Sequence, residues 1–121
     1  MSMRSQNMLV ANGNLDQTGL AIRADGYYGF ADGLHTIGFY LKNFIGRIYI
    51  DATLSDNPQE SDWFPIGLTE TDFADYDSAT TGIEPFNIVG NFVYLRARIR
   101  RSHLGRPASE LGTCERVTLS L

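Results

Sequence analysis

The chain has 121 residues, a formal net charge of −4, 43% apolar residues and a single cysteine. That is the size of one domain, with enough apolar content for one core. The negative balance argues against general nucleic-acid binding, which depends on neutralising phosphates. The lone Cys114 excludes an intramolecular disulfide framework and a cysteine-only zinc site.

In chain order, residues 1–7 read as a polar tail. Gln6, Asn7, Asn12 and Asn14 interrupt any apolar signal-peptide core, so the expectation is a chain made in a cytoplasm. Met8–Ala11 and Thr18–Ala24 read as short strands around an Asn12-Gly13-Asn14 turn. Asp25–Gly33 is a glycine- and aromatic-rich connection. It is not a phosphate loop, because no Gly-Lys-Ser/Thr and no helix follow.

The central stretch is Leu34–Leu68. Ile37, Phe39 and Leu41 alternate with Thr36, Tyr40 and Lys42; further on, Ile48, Ile50, Ala52 and Leu54 alternate with Arg47, Tyr49, Asp51 and Thr53. Period two means strands with one buried face. The intervening Lys42–Gly46 segment predicts a short turn, and residues 34–54 a β-hairpin. The turn formers of Ser55–Asp62 end this hairpin, and Trp63–Leu68 follows as a strand placed at an edge by Pro65. Residues 69–85 are acidic, Ser/Thr-rich and closed by Pro85, which predicts a long surface loop. Asn91–Arg101 reads as a strand with Val93, Leu95, Ala97 and Ile99 inward and Tyr94, Arg96, Arg98 and Arg100 outward; Glu115–Leu121 is the last strand. The expected fold is therefore all-β: a single antiparallel β-sandwich, jelly-roll-like, of seven to eight strands with little or no helix, in one domain spanning 1–121.

Charge is segregated along the chain. Nine carboxylates and no Lys or Arg lie between Asp51 and Glu84, and five arginines and no acid lie between Arg96 and Arg106. Arginine suits interface ion pairs because its planar fork matches carboxylates. Two outcomes are open: the zones face each other within one fold, or they form basic and acidic docking surfaces. On the second, the candidate partner-binding residues are Arg47, Tyr94, Arg96, Arg98, Arg100, Arg101, Asp72, Asp75 and Asp77. Within the central stretch, the Asp56–Asp62 loop and the outward Arg47, Tyr49 and Asp51 are the parts expected to touch a partner.

Catalytic chemistry is hard to assemble. His35 and His103 show no metal-ligand spacing, and no nucleophile elbow is present. Glu70, Asp72, Asp75 and Asp77 are dense enough to raise calcium, but their spacing does not fit a calcium loop. The expectation is a non-enzyme with no cofactor, no metal and no membrane partner, since no run approaches the ~20 apolar residues of a span.

Several strings carry a resemblance. Ala24-Asp25-Gly26-Tyr27-Tyr28-Gly29-Phe30, Leu34-His35-Thr36-Ile37, Asn43-Phe44-Ile45-Gly46-Arg47-Ile48-Tyr49-Ile50, Asp62-Trp63-Phe64-Pro65-Ile66 and Gly90-Asn91-Phe92-Val93-Tyr94-Leu95-Arg96-Ala97 resemble a family of small β-sandwich virion structural proteins of tailed bacteriophages, notably marine and cyanobacterial ones. The likeness covers most of residues 24–101 and carries no catalytic residue. It implies a structural subunit of the neck, tail, baseplate, fibre-attachment region or head decoration, located in the virion, with other virion proteins and copies of itself as partners. The alternative is a carbohydrate-binding β-sandwich module for host-surface glycans, with Tyr27, Tyr28, Tyr40, Tyr49, Trp63 and Tyr94 as stacking rings.

Overall fold

The computed structural model describes residues 5–12, 14–24, 33–68 and 72–120. The strands are β1 (Ser5–Asn12), β2 (Asp16–Thr18), β3 (Ile22–Arg23), β4 (Leu34–Thr53), β5 (Phe64–Pro65), β6 (Ala74–Val89), β7 (Tyr94–Arg100) and β8 (Thr113–Ser120). All pairings are antiparallel, in the order β1-β8-β4-β7-β2, with β3 on β7 and both β5 and β6 on β4. The all-β expectation is met as one sheet nearly closed into a barrel. The gap is bridged where the Leu20 amide donates to the Met8 carbonyl at 3.1 Å. The only helical pieces among the described residues are single 3-10 turns at Glu60–Asp62, Ser102–Leu104 and Ala108–Glu110.

The expected hairpin at 34–54 is instead one strand of 20 residues. Its first half pairs with β8, its second half with β7, and β6 runs along its other edge. The inward residues change parity along it: Ile37, Phe39 and Leu41 before Asn43, then Ile48, Ile50 and Ala52 after Gly46, all buried. A one-residue slip would normally turn an apolar set to the solvent. Register shifts against β6 on either side of Phe44, with Asn43 at φ 53° and Gly46 at φ 143°, absorb that slip as bulges and bend the strand. The signals that predicted a turn build a corner within a strand.

The predicted 69–85 loop is also corrected. Residues 69–71 lie outside the described residues, and Ala74–Val89 form β6, paired to β4 from Val89↔Leu34 to Ala74↔Ile48. Its middle, residues 77–83, is mostly exposed on both faces, so no apolar alternation marks it. Main-chain pairing with β4, together with Ala74, Tyr76, Phe86 and Ile88 packing at its two ends, makes it a strand. The tail expected over residues 1–7 is shorter, since Ser5–Asn7 pair with β8. The Asp25–Asp32 connection, with Tyr27 and Tyr28, lies outside the described residues, as does Glu70.

Candidate functional site

β7 supplies the arginine face through strand parity alone. Leu95, Ala97 and Ile99 are fully buried in the core, so Arg96, Arg98 and Arg100 project from the outer surface of the barrel. Register sets their neighbours on β4: Asp51 opposite Arg96, Tyr49 opposite Arg98 and Arg47 opposite Arg100. The two charge zones thus face each other within one fold over this part of the molecule.

Asp51 is the hub. It is buried, and its carboxylate accepts from Arg96 Nε at 3.2 Å and from Arg98 Nε and Nη2, both at 2.9 Å. The other end of Arg96 makes a fork–fork pair with Glu60 at 2.9 and 3.3 Å, delivered by the 3-10 turn after β4. Burial works against the charge of Arg96, but Glu60 and Asp51 outweigh it and hold its pKa above the usual value. The hydrogen bond from Arg96 likewise draws the Glu60 carboxyl below the ordinary glutamate range. Three of the guanidinium groups also lie over rings: Arg96 over Trp63 at 4.4 Å, Arg98 over Tyr49 at 4.2 Å and Arg47 over Phe73 at 4.5 Å. The like charges Arg47 and Arg100 diverge. Arg47 leans to Asp75 at 3.7 Å, while Arg100 donates to the main-chain oxygens of Ile99 and Gln17 and to Thr18.

This geometry sorts the nine expected partner-binding residues. Arg96 is only 9% exposed and Arg101 is fully buried, so Arg101 is not on the surface at all. Its guanidinium donates to the carbonyls of Asn14, Leu111 and Gly112 and lies 4.9 Å from the centre of the Phe44 ring. The β7 alternation ends at Arg100, so parity gives no direction for Arg101. Arg47, Tyr94, Arg98 and Arg100 are half-buried, and Asp72, Asp75 and Asp77 are exposed. Asp51, expected at a partner contact, is instead covered by its two arginines. Glu60 and Trp63 are the ladder members that strand parity does not reveal, because both come from the irregular segment after β4.

The remaining chemistry is dispersed. His35 is buried in β4 with its ring 6.2 Å from Phe92, and His103 is exposed on a 3-10 turn. Cys114 is buried, and desolvation pushes its thiol up to about 12. Among the described residues no group of three His, Cys, Asp or Glu side chains is placed to hold a metal ion. Of the rings considered for sugar stacking, Tyr40, Tyr49 and Trp63 each already carry a guanidinium on one face.

On the outer face of β4 and β8, Tyr40, Lys42, Thr113, Glu115 and Arg116 line an open depression of about 550 Å³. A register shift in β8 opposite Tyr40 and Leu41 leaves both Glu115 and Arg116 exposed there. Compared with protein-family models, with curated proteins and with solved structures, the chain matches none.

Proposed function

We propose that this chain is a non-enzymatic structural subunit of a tailed-bacteriophage virion, and that it docks on other virion proteins through charged surface. The observation that carries this reading is how the two charge zones are used. Arg96 and Arg98 are used inside the chain, where Asp51 and Glu60 lock β7 to β4 and to the segment that follows it. Asp56, Asp62, Asp72 and Asp77 are left exposed. A sheet braced in this way is a rigid part, and its outward carboxylates give orientation to an encounter with a basic partner. The resemblance of the strings in residues 24–101 to phage virion proteins supplies the particle.

The test is composition. Particles purified from the producing host, digested and analysed by mass spectrometry, should contain this chain at a fixed copy number relative to the major capsid protein. Its absence from intact particles rejects the reading. Cross-linking of the same particles should join neighbouring lysines on a partner to Asp72 or Asp77.

A further inference from the structure

We infer that the chain associates with a second copy of itself by joining two unlike patches, one beside the corner of β4 and one where the two ends of β4 approach each other. The inference deepens the structural-subunit reading and rests on it for its biological setting.

The first patch is the corner end of the outer face of the β4–β6 ribbon, at Tyr40 and Ile83. Leu34 pairs with Val89 and Tyr40 with Ile83, so these side chains share the face opposite the buried Ile37, Phe39 and Leu41. Val89 is 72% exposed and Ile83 58%. At the Tyr40 end stand the exposed Lys42 and Arg116, flanking the depression, with Glu115 as the one carboxylate beside them. Among the described residues neither cation makes an ion pair; Arg116 lies 4.1 Å over the Tyr40 ring.

The second patch lies where the two ends of β4 approach each other: the Val93 amide donates to the Thr53 carbonyl and the Gly90 amide to the Gly33 carbonyl, both at 2.9 Å, and the Phe92 ring lies 6.2 Å from His35 and 6.1 Å from Phe64, which brings Leu34 and Val89 beside it. Leu54 is 68% exposed and Phe64 39%, and the exposed Asp56 and Asp62 stand in the segment between them. Of the six large apolar side chains exposed among the described residues, Ile83 falls in the first patch, and Leu34, Leu54, Phe64 and Val89 lie at or beside the second. One patch is edged by cations, the other by carboxylates. Apolar surface of this kind marks interaction sites, and charge complementarity sets which surfaces meet.

Size and shape agree. A depression of about 550 Å³ admits an aromatic or leucine side chain from a neighbour, and Leu54, 68% exposed, is such a side chain on the acidic patch. The outer face measures roughly 25 Å along the strands by 15 Å across them, from the usual strand spacings. That is below the ~800 Å² per partner of a standard interface, so a single contact is weak, as in assemblies whose strength comes from repetition. Joining unlike patches is heterologous, the type of contact that builds rings or filaments.

The experiment uses the purified full chain in sedimentation velocity up to about 1 mM, at low salt and at about 0.5 M salt. Wild type should associate at low salt and weaken with salt. Lys42→Glu/Arg116→Glu and Asp56→Lys/Asp62→Lys should each lower the association constant about tenfold or more, with circular dichroism unchanged. Mixing the two variants should restore association, because each then offers the charge the other lacks. A chain monomeric throughout, association insensitive to both variants, or two variants that do not rescue each other overturns the inference. Association lost only on Ile83→Asp, with both charge variants normal, would mean that like faces pair and would also overturn it. Presence of the chain in particles is read independently by mass spectrometry, so the two proposals fail separately.

Discussion

A guanidinium shut away from water has to find its partners where the fold can supply them, and Arg101 finds main-chain carbonyls. Those of Asn14, Leu111 and Gly112 come from two loops far apart in sequence, so one side chain ties both to the corner of β4 through Phe44. Lysine has the charge but not the planar fork. Arg101→Lys should therefore destabilise the protein by about 2–3 kcal/mol, read as a lower urea midpoint at unchanged m-value. Next to it, Asp16 accepts from the main-chain N–H groups of Arg101 and Ser102 at 2.9 and 3.2 Å. A hydrogen bond from the Ser102 side chain, followed by the one from the Arg101 N–H, draws its carboxyl below the ordinary 3.8. A depressed carboxyl contributes stability that is fully present above its unfolded value and lost as pH falls through its folded one. The stability difference between wild type and Asp16→Asn should thus be constant near neutrality and shrink below about pH 3.8, which urea titrations down to about pH 2 will show.

At the scale of the element, the corner of β4 and the edge of β6 are the two places where local sequence and final structure part. The alternation on each side of Asn43–Gly46 is plain in the sequence, and it places Ile37, Phe39, Leu41, Ile48, Ile50 and Ala52 of β4 and Leu95, Ala97 and Ile99 of β7 in the core, but it misses the buried Asp51, Thr53 and Arg96 and puts the exposed Leu54 inward. A turn and a bulge, however, ask for the same residues. Only the partner strands decide between them, and β6 and β8 are 30 or more residues further along the chain. Gly46 is doubly constrained, by its φ of 143° and by Arg101, whose Cγ would lie 2.3 Å from an added Cβ. Gly46→Ala should cost about 3 kcal/mol, checked by thermal unfolding.

β6 is illegible for another reason. Its middle buries little, so its hydrogen bonds to β4 carry the strand with almost no apolar signal. Its outer edge meets no strand among the described residues. The Gly90 amide donates to the Gly33 carbonyl at 2.9 Å, and alternation from that bonded pair makes Gly38–Pro85 a non-bonded pair. The nitrogen of Pro85 therefore faces the open edge, where a missing donor discourages another strand. Pro85→Thr should leave the unfolding midpoint within about 0.5 kcal/mol of wild type while raising light scattering on prolonged incubation.

At the scale of the whole molecule, the fold class and the alternation of the arginine face are legible in the sequence, but the use of that face is not. Segregated charge along a chain looks the same whether the zones brace each other or await partners. The register Asp51↔Arg96 decides it, and register is a property of assembled strands. The surface that remains cationic, at Lys42 and Arg116, joins two residues 74 positions apart through the pairing of β4 with β8. Neither residue is distinctive alone.

The position of β8 has a further consequence, in the order of events during synthesis. β8 is inserted between β1 and β4, so among the described residues β1 takes as its ladder partner a strand made about 100 residues after it. Until Thr113–Ser120 leave the ribosome, β1 has no ladder and half of β4 shows a bare edge. Folding of this sheet thus has high contact order and is completed in a late, cooperative step that waits for β8. A nascent chain stalled before Thr113 would expose two sticky edges at once.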